Sequence, residues 1–140
     1  MIYKCKYFKL KELCCTHTLE KYSETQLWTF LDDRYKKTID AVREILGAKM
    51  ICNYGDMTQR GTRCNRCEMV INKKEPYLSA HVLWKAGDFT VEGMTAEEAR
   101  KKIIENQCKL PYPIRLEAGV SWLHIDTYEV EGHKVYLFRA

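Results

Sequence analysis

The stretch SETQLWTFLDDRYKKTIDAVREILG, residues 23–47, sets Leu27, Phe30, Leu31, Tyr35, Thr38, Val42, Ile45 and Leu46 at a repeating three-four spacing. That spacing predicts one long amphipathic helix with a single apolar stripe. Ser23 or Thr25 can cap its start, and Gly47 suits the left-handed position just past its end. Asp32, Asp33, Lys36, Lys37, Arg43 and Glu44 fall mostly on the opposite, solvated face. A stripe of this length must be buried against another layer, and the rest of the chain supplies strands for it.

AKMICN reads as a buried strand, followed by a polar loop from Tyr54 to about Leu78. Loops of that length inside a compact domain tend to carry function. TAEEARKKIIENQ predicts a second helix, with Thr95 and Glu98 at the spacing of a capping box. Pro111 and Pro113 then exclude helix. VSWLHIDTYEV alternates, and HKVYLFRA is short, aromatic and β-branched, so both read as strands, and EGHK between them predicts a hairpin. YFKLKEL, near the start, is a short amphipathic segment. The order of elements predicts an α+β fold, with a central, mostly antiparallel sheet and helices packed on it.

Residues 1–140 are expected to form a single domain, since 140 residues can bury a real core without disulfide help. The net charge of +4 is scattered, and no basic stripe is interleaved with aromatics, which argues against nucleic-acid binding. The opening residues lack the apolar core of a signal peptide, and no apolar run approaches a membrane span, so synthesis in the cytoplasm and no membrane partner are expected. Seven cysteines then read mostly as small buried hydrophobes. Cys64 and Cys67 form one C-x-x-C, but a zinc knuckle needs two further ligands at matching spacing and no second pair exists. Cys14, Cys15 or His17 could lend them only through the fold, so the expectation is a thiol-bearing loop.

SAHVLWKAGDF sets His81 and Asp88 seven positions apart, and SWLHIDTY places His124 within a strand. Alternation puts Val120, Trp122, His124 and Asp126 on one face and Ser121, Leu123 and Ile125 on the other, which is the better core face. Periodicity alone leaves open whether His124 is a cleft residue or a core histidine. Two histidines and an aspartate with a fourth position left to water form a reasonable catalytic zinc site. Amide hydrolysis there also needs a carboxylate base near the water.

These two segments resemble the zinc-binding motifs of the D-Ala-D-Ala carboxypeptidase/endopeptidase family, which shares its fold with the hedgehog signalling domain and includes many phage cell-wall peptidases. Ser79, His81, Ala86 and Asp88 match its S-x-H-x-x-G-x-A-x-D pattern; Trp122, His124 and Asp126 match its second motif. The pattern's glycine is replaced by Trp84. RGTR, ending at Arg63, resembles the family's S-G-x-R, and similarity extends over nearly the whole chain. The resemblance implies a hedgehog/DD-peptidase-like fold, with zinc held by His81, Asp88 and His124, and Arg63 binding a substrate carboxylate. It implies Glu117 as the base, similar to members that place a glutamate at the strand's start, with Asp126 as competitor for that role. Tyr54, Tyr77 and Trp84 are candidates to line the groove or simply to pack. The expected activity is cleavage of a peptidoglycan stem peptide by a monomeric phage or bacterial enzyme, acting at the wall through lysis or as a virion component. The alternative is a catalytically silent binding module of the same fold.

Overall fold

The computed structural model describes residues 1–128 and 132–140. Four helices come first, α1 (Leu10–Leu13), α2 (Thr16–Lys21), α3 (Glu24–Phe30) and α4 (Asp33–Leu46). The short strand β1 (Met50–Ile51) leads into a long segment without helix or strand that ends at β2 (Ala86–Val91). Helix α5 (Ala96–Glu105) and a 3-10 turn precede β3 (Ile114–Glu117), β4 (Leu123–Asp126) and β5 (Val135–Phe138). The class is α+β. Among the described residues no helix is long and apolar enough to cross a membrane.

The expected single helix over residues 23–47 is two helices. Leu31 and Asp32 are extended, and the Asp32 carboxylate accepts the Tyr35 N–H to cap α4, a contact worth about 1 kcal/mol. The apolar stripe survives the break because Leu27, Leu31, Tyr35, Ile39, Val42 and Leu46 all reach the core. Ser23 caps α3 through a capping box with Gln26, and Gly47 closes α4 at φ 61°. Asp32 also joins distant segments. Its N–H donates to the Trp84 carbonyl (3.1 Å), and its carboxylate accepts from Thr127 Oγ1 (3.0 Å).

The sheet runs β1-β2-β4-β3-β5. β1 with β2, β2 with β4 and β3 with β4 are antiparallel, but β5 runs parallel to β3, so the sheet is mixed rather than mostly antiparallel. The expected hairpin between the last two strands does not form. Strand β4 is flanked by β2 and β3, so β5 cannot pair with it and instead joins the outer edge of β3. The strand predicted from VSWLHIDTYEV is confined to Leu123–Asp126; its end at Glu129 and Val130, and Glu131 of EGHK, lie outside the described residues.

Alternation divides the sheet into two faces. Phe89, Ile114, Leu116, Leu123 and Ile125 are fully buried on the face that meets the helices. Each such side chain contributes roughly 1.5–3 kcal/mol. The intervening residues Asp88, Arg115, Glu117, His124 and Asp126 therefore share the other face.

Candidate metal centre

Register aligns the polar face. Asp88 on β2 lies opposite His124 on β4, while Arg115 on β3 lies opposite Asp126. Continuing the β3–β4 register by one residue sets Glu117 beside His124. A cavity of about 250 Å³ opens here, lined by Arg63, His81, Asp88, Glu117 and His124 among others. A larger cleft of about 820 Å³ between α1 and β1 is lined by Lys9, Lys11, Glu12 and Lys49 and gathers no comparable set of ligating groups.

His81 arrives from a turn rather than a strand. The Lys85 N–H donates to the Ala80 carbonyl (2.9 Å) and the Trp84 N–H to the His81 carbonyl (3.2 Å), the paired bonds of a Schellman motif. Its left-handed position is Trp84, at φ 62°, where glycine is the usual occupant. An L-residue there costs roughly 1–2 kcal/mol. The indole offsets part of this by packing edge-on against Phe30, with ring centroids 5.7 Å apart. Trp84 therefore keeps the turn's shape and turns toward the helices. The aromatic rings around the cavity are Trp122, Tyr128 and Phe138, not Tyr54, Tyr77 or Trp84.

The ligating atoms of His81, Asp88 and His124 all lie within 4.8 Å of one another. Hydrogen bonds select which ring nitrogens face inward. His81 Nδ1 donates to the Gly61 carbonyl (2.8 Å), which leaves Nε2 toward Asp88 Oδ2 at 3.5 Å. His124 Nε2 donates to Asp126 Oδ2 (2.6 Å), which leaves Nδ1 against Asp88 Oδ1 at 2.7 Å. Carbonyl and carboxylate partners on the outer nitrogen are how proteins orient metal-binding histidines. Gly61 can be nothing larger, because a Cβ there would collide with the Leu13 carbonyl. These donors fit a divalent metal with an open position, zinc being the ion such nitrogen and oxygen sets most often serve.

Burial favours the neutral forms of these groups, yet hydrogen bonding outweighs it. His124 is pushed up to about 9, burial being overcome by the bonds to Asp126 and Asp88. Asp88 is held well below the ordinary carboxylate range, again against burial, by His124 and His81. Asp126 is likewise lowered, by His124 and Arg115. A pH dependence follows. Because the folded pKa of His124 lies above its unfolded value of 6.5, its contribution is complete below that value and disappears as pH rises through about 9. Chelator-treated protein should therefore lose stability across this window, by up to roughly 1.4 kcal/mol per pH unit. The depressed carboxylates act oppositely, contributing above their unfolded pKa and losing that contribution in acid. A metal ion held at His124 Nδ1 would compete with that proton, so metal-loaded protein should not show the alkaline loss. Urea titrations over this range, with chelator or with zinc, check both expectations.

Arg63 and Glu117 both reach the cavity. The Arg63 Nε donates to the Gln59 carbonyl (2.7 Å), and its Nη2 stands 3.8 Å from Asp88 Oδ2. Glu117 is 8 % exposed, and its carbonyl accepts from Arg100 Nη1 at 3.2 Å. Asp126 is engaged on both oxygens by Arg115, at 2.8 Å each. Arg115 was not singled out in the sequence, although its alternation with Ile114 and Leu116 places it on this face. Its guanidinium also lies over the Phe138 ring, 4.2 Å from the centroid. Compared with protein-family models, curated proteins and solved structures, the chain matches none of them, so its functional reading rests on these residues.

Proposed function

We propose that this chain is a zinc-dependent peptidase, of hedgehog/DD-peptidase-like fold, that cleaves a peptide bond in peptidoglycan stem peptides. The observation that carries the reading is the convergence of His81 Nε2, Asp88 and His124 Nδ1, with outer-nitrogen partners that orient both rings, in one cavity with Glu117 and Arg63. His81, Asp88 and His124 would hold the zinc, which when bound would lower the pKa of a water to about 7 and polarise the scissile carbonyl.

The chain's own groups supply the rest. Glu117 takes the proton of the attacking water and returns it to the leaving amine. Asp126 keeps the His124 ring in place and is in turn fixed by Arg115. Arg63 offers its guanidinium to a substrate carboxylate, a charge-assisted contact that can be bidentate. A cavity of about 250 Å³ accommodates the scissile amide and its immediate flanks, so the remainder of a stem peptide lies across the surface. The protein would act at the bacterial wall, during phage lysis or from a virion.

Mass spectrometry of muropeptides released from purified peptidoglycan by zinc-loaded protein tests this reading. Newly cut stem peptides are expected, and chelation should abolish them. Intact stem peptides across several wall types, from protein with zinc demonstrably at His81 and His124, would instead leave the silent binding module as the function.

A further inference from the structure

A second set of ligating atoms stands apart from the site above. The Cys64 Sγ lies 3.5 Å from His17 Nδ1 and 3.8 Å from Cys67 Sγ, and Cys67 Sγ lies 3.8 Å from His17 Nδ1. Cys15 completes the group, with all four ligating atoms within 4.8 Å of one another. A tetrahedral zinc with bonds of about 2.3 Å to sulfur and about 2.0–2.1 Å to nitrogen imposes edges of about 3.5–3.8 Å between its ligands. The three distances fall on those edges. A disulfide would bring the sulfurs to about 2.05 Å, and all the cysteines here are free.

The backbone around the C-x-x-C is shaped to support thiolates. Arg66 N–H donates to Cys64 Sγ (3.4 Å) and Cys64 N–H to Cys67 Sγ (3.3 Å), while Cys67 N–H closes the turn on the Cys64 carbonyl (3.1 Å). We propose that Cys15, His17, Cys64 and Cys67 bind a structural zinc ion. Three sulfurs and one nitrogen fill the tetrahedron and leave no position for substrate, which separates this site from a catalytic one. Binding releases the thiol protons to solvent, and no change of oxidation state is involved.

The location gives the ion its task. Cys64 and Cys67 lie in the long segment between β1 and β2, which has no helix or strand to hold it. Cys15 and His17 belong to the start of α2. The two are already stitched by Cys15 N–H to Thr62 Oγ1 (3.1 Å) and Thr62 N–H to the Leu13 carbonyl (2.8 Å). Gly61, next in the chain, orients His81, and Arg63 N–H donates to the His81 carbonyl at 3.2 Å. A zinc clamp at Cys64 and Cys67 thus fixes the segment that positions one wall of the cavity.

Cobalt(II) titration of reduced, chelator-treated protein tests the site. A thiolate-to-cobalt charge-transfer band with the strong ligand-field absorption of a tetrahedral ion is expected, and added zinc should bleach both. His81, Asp88 and His124 contain no sulfur, so their occupation cannot produce that band, and a failure to hydrolyse peptidoglycan has no bearing on it. His124→Ala should keep the band. Joint Cys64→Ser and Cys67→Ser substitution should abolish it and remove one zinc ion per chain. If that variant does not fold, alkylation of the unaltered protein still decides, since zinc should shield Cys64 and Cys67 and chelation should expose them. Absence of the band under reducing conditions, or alkylation indifferent to zinc, overturns the proposal.

Discussion

Glu117→Gln is expected to lower hydrolysis by about 10²–10⁴-fold while zinc content and melting temperature remain those of the unaltered protein. The substitution conserves shape and removes the proton acceptor. Its position is held by the backbone rather than by the carboxylate, because β3 pairing and the Arg100 contact engage main-chain atoms. Glu117 lines the same cavity as His124. Asp126 is poorly placed to replace it as base, since Arg115, His124 and the Tyr128 N–H already occupy its oxygens. Turnover of stem peptide, measured alongside zinc content, checks the expectation. An undiminished rate would move the role to Asp126.

Asp126→Ala should have a different and broader effect. The residue is fully buried, and removing it leaves Arg115 without its bidentate partner and His124 Nε2 without an acceptor. Breaking a fully buried pair costs about 3–5 kcal/mol, and because the Arg115 side chain is 24 % exposed the loss here should lie below that range. Loss of the carboxylate behind a metal-binding histidine typically weakens metal affinity by about 10–100-fold. Denaturation of chelated protein and competition for zinc against a chromophoric chelator measure the two effects separately. Stability lost without weaker zinc binding would mean that Asp126 serves only the Arg115 pair.

Only part of the polar face was legible, because strand periodicity of two assigned faces within β4 but left the role of His124 open, and β3 with Arg115 and Glu117 was not foreseen as a strand. Leu123 and Ile125 went to the core, which left His124 lining the cavity on the opposite face and Asp126 buried behind it. The helix break was harder to see. An apolar stripe continues in phase across Leu31 and Tyr35, and only the Asp32–Asp33 pair marks a new cap. Placement of β5 depended on which sheet edge remained free, a property of the assembled sheet rather than of EGHK. The cysteine and histidine cluster was least legible. His17 and Cys64 are separated by 47 residues, and no local pattern links a helix start to a distant turn.

The break at Asp32 also bears on the order in which the molecule assembles. Asp32 receives Thr127 from 95 positions further along and donates to Trp84, so one early residue docks the segments that follow His81 and His124. A ribosome would complete α3 and α4 long before either segment emerges. Closure of the site then waits on contacts of very high sequence separation, whose loop entropy is lost before any of their bonding is gained. The helical half should therefore collapse quickly and the cavity last, so that a nascent chain stalled before β4 would be folded in part yet unable to hold a metal at His81 and Asp88.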